Sequence, residues 1–313
     1  MSKLLDSIDQ RTRLVGENRL ELLMFRLRGR QLFAINVFKV QEVVKLPVLR
    51  AVPHSHPHVK GVAHLRGQTV PVIDLSAAIG AGALTDTTNA NLIVAEYNRS
   101  VQAFLIGGVD RIINLNWDVI LPPPKGTGRG HFLTAITRFD DQLVEILDVE
   151  RVLADIIPYN TQVSEQVLDA DLAVEAKKRK LKILMADDSP TAITQVQATL
   201  QNLGIDVLYV QDGLQALNQL QQWVRDGRNL DDEILMLITD AEMPEMDGYR
   251  LTAEIRKDPA LKNLYVVLHT SLSGSFNKAM VEKVGCDDFL SKFQPDELAK
   301  VVQKRLRKVI NKE

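Results

Sequence analysis

Three aspartates stand directly behind apolar runs. Asp187 and Asp188 follow "LKILMA", and Asp240 follows "EILMLIT". Lys292 stands directly behind "DFLS", while Thr270 and Ser271 close "LYVVLHTS". Carboxylates gathered in one crevice repel each other unless a cation sits among them. Mg²⁺ suits such a place, because it takes oxygen ligands, keeps several waters and often shares its shell with a phosphate. A hydroxyl and an ammonium beside it make surroundings built for a phosphoryl group. Each residue alone has a plainer meaning, since an Asp-Asp pair is usually a surface turn and a loop lysine is usually solvated. The specific signal is their joint placement, each at the end of an apolar run and in a fixed order.

That placement requires strands to deliver the residues. From Leu181 onward, apolar runs alternate with helical patterns: "LKILMA", "IDVLYV", "EILMLITD", "LYVVLHT" and "DDFLS" are separated by helix-like segments. One of these, "SPTAITQVQATLQNLG", has Ser189 as N-cap, Pro190 in its first turn and Gly204 as terminator. The spacing predicts a five-stranded parallel α/β sheet with five helices, whose functional loops leave the carboxyl ends of the strands. The first half reads differently. "LELLMFRL", "QLFAINV", "TVPVIDL", "ANLIVAEY", "SVQAFLIGGV" and "LVEILDV" are short strands parted by turn residues, a pattern of sandwiches and barrels. Helical periodicity there is confined to the opening residues and "DVERVLADI". The boundaries follow: an all-β domain over 1–160, a charged linker with some helical tendency over 161–180, and an α/β domain over 181–313.

Bulk composition narrows the classes. The chain has 313 residues, a soft expectation of two domains. It is 45% hydrophobic and 25% charged, with a net charge of −2, which gives no support to a nucleic-acid partner. A single cysteine, Cys286, excludes a disulfide framework and fits a reducing compartment. No apolar run reaches the roughly 18 residues of a membrane helix, and the charged N-terminus has no signal-peptide core. A cytoplasmic protein without membrane insertion is expected.

The segments "LMADDSP", "LITDAEMPEMDG", "VVLHTS" and "FLSKF" resemble the signature of response-regulator receiver domains, a flavodoxin-like fold. The resemblance implies that Asp240 is a phosphoacceptor that takes a phosphoryl group from a histidine kinase and forms an acyl phosphate. Asp188, Asp240 and the backbone carbonyl of Glu242 would ligate Mg²⁺, with Asp187 holding a metal-bound water. Lys292 would pair with the phosphoryl oxygens, Thr270 would turn its hydroxyl toward them, and Phe289 would be the aromatic switch partner of Thr270. Two features depart from the family pattern: Phe293 replaces the usual proline after the lysine, and Glu242 brings a carboxylate near the path of attacking water. A haloacid-dehalogenase-type phosphatase also uses an aspartate nucleophile and Mg²⁺. That chemistry needs a second aspartate two residues on, where this chain has Glu242 after Asp240 and Pro190 after Asp188.

No nucleophile–base pair is evident in the first half, which points to a binding module. His54, His56 and His58 in "HSHPH" invite a metal reading, but Pro53 and Pro57 make the stretch a surface loop. "PPPKGTGRG" (122–130) resembles a phosphate loop, yet it lacks the Gly-Lys-Ser/Thr order and precedes the strand "HFLTAITRF" rather than a helix. The basic run "KKRK" is read as a solvated linker end. "FAINVFKVQEVVKL", "GVAHLRGQTVPVIDL" and "FLTAITRFDDQLVEILDVERVL" resemble the CheW coupling domain of bacterial chemotaxis. That resemblance implies two five-stranded barrels around a shared core, docking chemoreceptor cytoplasmic tips and a CheA-type histidine kinase. Arg66, in "LRG", is the leading partner-binding candidate; an arginine on such a turn either bonds nearby carbonyls or presents a rigid fork. Glu42, Val40 and Val43 are weaker ones. A CheW-like domain followed by a receiver is the architecture of the CheV family. It implies a coupling scaffold tuned by phosphorylation, a chain that is not itself an enzyme beyond self-phosphotransfer and autodephosphorylation. The alternatives are a receiver acting chiefly as a phosphate sink, or an adaptor of some unrelated two-component system.

Overall fold

The computed structural model describes residues 19–97, 100–123, 132–157, 162–270, 284–292 and 294–311. It divides into two compact units, Arg19–Tyr159 and a second that holds Asn160–Glu313.

The first unit runs β1 (Arg19–Arg26), β2 (Leu32–Asn36), β3 (Glu42–Lys45), β4 (Val59–Leu65), β5 (Gln68–Asp74), α1 (Leu75–Ala78), β6 (Asn91–Tyr97), β7 (Ser100–Ile106), β8 (Gly108–Asn116), β9 (Leu133–Phe139), β10 (Gln142–Leu147) and α2 (Val149–Ile156). These strands make two five-stranded sheets, ordered β8-β1-β2-β10-β9 and β3-β6-β7-β5-β4. Alternation along the strands explains the packing, since successive side chains face opposite sides. Leu22, Met24, Ala34, Val144 and Ile146 fill one sheet's own core, and Val70, Val72, Leu92, Val94 and Leu105 fill the other's. The intervening positions, among them Phe25, Phe33, Ile73, Ile93 and Phe104, form with Val152 of α2 a third core that both sheets share. Three strands went unrecognised in the sequence, β3, β4 and β8, and all three are sheet edges. An edge strand need not carry a continuous apolar face, and β8 exposes most of its residues.

Two hairpins close on two-residue turns in which both residues have positive φ. Arg66 (47°) and Gly67 (81°) join β4 to β5; Asp140 (47°) and Asp141 (59°) join β9 to β10. This is the turn geometry that matches strand twist. Asp74 is fully buried and caps α1, its carboxylate accepting from the Ala77 and Leu84 amides at 3.1 and 3.0 Å.

The second unit runs α3 (Ala170–Arg179), β11 (Lys182–Ala186), α4 (Pro190–Gln201), β12 (Asp206–Val210), α5 (Gly213–Arg225), α6 (Leu230–Glu233), β13 (Ile234–Thr239), α7 (Gly248–Lys257), β14 (Val266–Thr270), β15 (Asp288–Ser291) and α8 (Pro295–Ile310). The sheet is parallel throughout, ordered β12-β11-β13-β14-β15. Its central strand β13 is buried at every position, because helices cover both faces. Ser189, Pro190 and Gly204 cap, open and end α4 as the sequence suggests; Gly204 has φ +69°. The one-turn helix α6 was not anticipated. The helix-like segment "FNKAMVEKVG" (276–285), between the fourth and fifth apolar runs, falls almost wholly outside the described residues, as do Phe293, Ser271 and most of the 122–130 loop.

The stretch expected as a charged linker differs from that picture. Residues 162–179 pack on the second unit: Val163 and Ala176 are buried in its core with Leu298, Val302 and Leu306 of α8. Asp169 caps α3 by accepting from the Leu172 amide. The basic run forms the last turn of α3, where cations oppose the negative helix end; Arg179 pairs with Glu175 at 3.1 Å.

Candidate functional site

The sheet order reverses between β11 and β13, the place where open α/β sheets hold ligands. Asp187 and Asp188 leave β11 there, and Asp240 leaves β13. One carboxylate oxygen from each of the three lies within 4.8 Å of the others, and no other acidic, His or Cys group of this kind occurs among the described residues. His54, His56 and His58 therefore build no such cluster; the His56 and His58 rings meet edge to face at 4.8 Å.

Lys292, one residue past β15, is 1% exposed and fully buried beneath the carboxylates. Its Nζ donates to Asp240 Oδ2 at 2.8 Å and lies 3.0 Å from Asp187 Oδ2. Its backbone N–H donates to the carbonyl of Thr270 at 2.9 Å, which ties the lysine to the end of β14. Asp240 Oδ1 accepts from the Ala241 amide at 2.7 Å, and Asp187 Oδ1 from the Ser189 amide at 2.9 Å. Asp187 Oδ2 is buried, and its approach to Lys292 lacks hydrogen-bond alignment. A buried carboxylate oxygen of this kind, facing two further carboxylates, fits a hard divalent cation. Burial holds the Asp187 carboxyl well above the ordinary carboxylate range; Lys292 opposes that shift, and Asp240 and Asp188 reinforce it.

The loop after Asp240 is shaped by residues not singled out in the sequence. Gly248 opens α7 against the Asp240 backbone, and a Cβ there would sit 2.0 Å from the Asp240 carbonyl oxygen. Gly213, opening α5, is equally constrained by the Met246 carbonyl at 2.5 Å. Asp247 caps α7 through the Arg250 amide at 2.7 Å. The "DG" pair within "EMDGYR" was the signal for this, a cap followed by the one residue without a side chain. Tyr249 packs with Ala241, Leu268 and Phe289, and burial raises its hydroxyl pKa far above the usual value.

The remaining expected residues are placed as follows. Thr270 ends β14 and is 1% exposed. Phe289 is half-buried on β15, opposite Leu268, and one strand position pairs Thr270 with Ser291. Glu242 is half-buried two residues beyond Asp240.

In the other unit, two residues flagged separately meet. The Arg66 guanidinium donates to Glu42 Oε2 at 2.6 Å, the arginine 80% exposed and the glutamate 21%. The pair bridges the tip of the β4–β5 hairpin to β3 at the opposite edge of the sheet. Val43, next to Glu42, is exposed, whereas Val40 packs against the shared core.

Family models match both units: a CheW-like domain over residues 21–156, and a response regulator receiver domain over residues 183–303. Chemotaxis protein CheV1 of Helicobacter pylori is 30% identical over 98% of this chain and 99% of its own length. CheV3 of the same organism is 29% identical over 92% of this chain and 95% of its own length. A probable chemotaxis protein CheW of Rhizobium etli is 30% identical over 43% of this chain and 88% of its own length. The likeness to CheV1 runs through both units and the stretch between them, and the chain belongs to the CheV family: a chemotaxis coupling domain joined to a phosphorylatable receiver.

Proposed function

We propose that Asp240 is the phosphoacceptor of this receiver and that its phosphorylation tunes how the coupling domain links chemoreceptors to a CheA-type histidine kinase. The observation that carries the reading is the buried Lys292 ammonium spanning Asp240 and Asp187, beside a third carboxylate, at the switch point of the sheet. Asp188 and Asp240, with the Glu242 carbonyl, would hold Mg²⁺, and Asp187 would hold a water bound to it. That ion would neutralise charge developing on the transferring phosphoryl oxygens.

This chain's own residues supply the rest. Asp240 Oδ attacks the phosphorus of the kinase's phosphohistidine, the P–N bond breaks and the imidazole leaves, while the backbone amide of Ala241 and the Lys292 ammonium stabilise the oxygens that gain charge. Thr270 donates its hydroxyl to the new phosphoryl group, and Phe289 follows it inward, repacking against Tyr249 and Ala241. Glu242 adjusts how water reaches the acyl phosphate, which the chain hydrolyses itself. Retention of a Thr270–Phe289 pair supports a switch over a receiver that only drains phosphoryl groups from the kinase.

In the coupling domain, Arg66 and Glu42 form a charge-matched fork beside the exposed Val43, a surface suited to a kinase or receptor partner. Among the described residues no helix is long and apolar enough to cross a membrane, and the proposal puts the chain in the cytoplasm at receptor arrays.

The test is ³²P transfer from the kinase to full-length protein. Asp240→Asn should accept no label while still co-sedimenting with receptors and kinase; label retained on that variant refutes the assignment. Arg66→Ala should weaken co-sedimentation and leave labelling by acetyl phosphate unchanged. Unaltered co-sedimentation would remove Arg66 from the interface.

A further inference from the structure

We infer that residues 162–179 are a strap that is clasped to the receiver's last helix and let go at its first turn when Asp240 is phosphorylated. This deepens the reading above and rests on Asp240 being the phosphoacceptor.

The strap touches α8 at two levels. At the first turn, Asp296 accepts from the Ser164 amide at 2.8 Å and from the Ser164 hydroxyl at 2.6 Å, and Val163 is buried alongside. Two and three turns further on, Gln303 and Arg307 take over. The Asp169 amide donates to Gln303 Oε1 at 2.9 Å, Gln303 donates to the Val167 carbonyl at 2.8 Å, and Arg307 pairs with Asp169 at 2.9 Å. Beyond that, α3 lies so close to Gly204 that a Cβ there would sit 2.7 Å from the Ala173 carbonyl oxygen.

The two levels differ in what they can feel. Pro295, the start of α8, is three residues from Lys292, whose side chain is held by Asp240 and Asp187 and whose amide is held by Thr270. A phosphoryl group on Asp240 occupies the carboxylate and carries a charge of about −1.5 to −2 on its outer oxygens. The ammonium must leave Asp240 Oδ2 to follow that charge. The displacement enters α8 at its first turn, where the exposed Ser164–Asp296 clasp sits. The Asp169–Arg307 and Gly204 contacts lie farther along and on another element, so they persist. By sequence the strap directly follows the coupling domain, so opening the clasp lengthens the free tether between the two units. That is a route from acyl phosphate to coupling domain requiring no further element.

Hydrogen exchange on full-length protein, with and without beryllofluoride and Mg²⁺, tests this. The Ala241 amide, bonded to Asp240, reports on occupancy of the site. Expected is about tenfold faster exchange over 162–168 on adding beryllofluoride, the scale set by losing roughly one net hydrogen bond, with 170–179 unchanged. Ser164→Ala and Asp296→Ala should show the fast exchange without beryllofluoride and gain nothing from it. Unchanged or slower exchange over 162–168 while residues 241–246 respond overturns the strap and leaves the phosphoacceptor assignment standing. Variants that exchange like wild type also overturn it. No response at 241–246 overturns both.

Discussion

Replacing Lys292 by methionine roughly keeps the volume of the side chain and removes the cation buried against Asp187 and Asp240. The ammonium is 1% exposed and sits 2.8 and 3.0 Å from two carboxylate oxygens. Deleting one partner of a buried ion pair costs about 3–5 kcal/mol, because the charge left behind is uncompensated. Here two carboxylates are left, and Asp187 is already held toward its protonated form. A receiver of ordinary stability, about 5–15 kcal/mol, should survive but unfold at clearly lower denaturant. Mg²⁺ should restore part of the loss. A cation bound only to the folded state adds about 2.7 kcal/mol at 100 times its Kd, in wild type and variant alike, but without the lysine it meets less opposing charge and binds the variant more tightly. The chain has two tryptophans, Trp117 in the coupling domain and Trp223 in α5. In a Trp117→Phe background, Trp223 fluorescence during urea unfolding follows the receiver alone. The expected result is a Lys292→Met deficit of about 3–5 kcal/mol without metal, shrinking with saturating Mg²⁺ by about 1.4 kcal/mol for each tenfold by which the variant binds the ion more tightly than wild type. A deficit below about 1 kcal/mol, or one indifferent to Mg²⁺, would refute the reading of this cluster as a charge-balanced metal site.

Two further outcomes follow from the same geometry. Gly248→Ala places a Cβ 2.0 Å from the Asp240 carbonyl oxygen, so the loop must shift. It should lose about 1–3 kcal/mol in urea unfolding and label more slowly with acetyl phosphate, whereas a wild-type labelling rate would show that the loop moves without disturbing Asp240. The Mg²⁺-dependent rise in unfolding midpoint should grow as pH rises through the range in which Asp187 loses its proton. Burial holds the folded-state pKa of Asp187 well above the ordinary carboxylate range, so a proton on Asp187 favours the folded state in acid. This contribution is lost as pH rises through the raised pKa, and the metal competes with that same proton. An increment that shrinks with pH would contradict the assignment.

What the amino-acid order determined by itself was whatever depends on local chemistry. Apolar runs ending in Asp187, Asp188, Asp240, Thr270 and Lys292 could be read because a buried parallel strand is apolar throughout and its exit is abrupt. Caps such as Ser189 and turn signals such as Asp140-Asp141 are equally local. The edge strands β3, β4 and β8 were not legible, since an edge satisfies half its hydrogen bonds with one neighbour and needs no continuous apolar face. Nor could spacing show that Arg66 meets Glu42 across the gap between two edges, or that Gly248 backs the Asp240 carbonyl. The strap is the clearest case. Its charged, glycine-poor sequence reads as a linker because its few apolar residues, Val163 and Ala176 among them, acquire a role only where α8 and α4 supply the surface they bury against. Chemistry at the strand ends was written in the chain; which surfaces that chemistry can move was decided by tertiary packing.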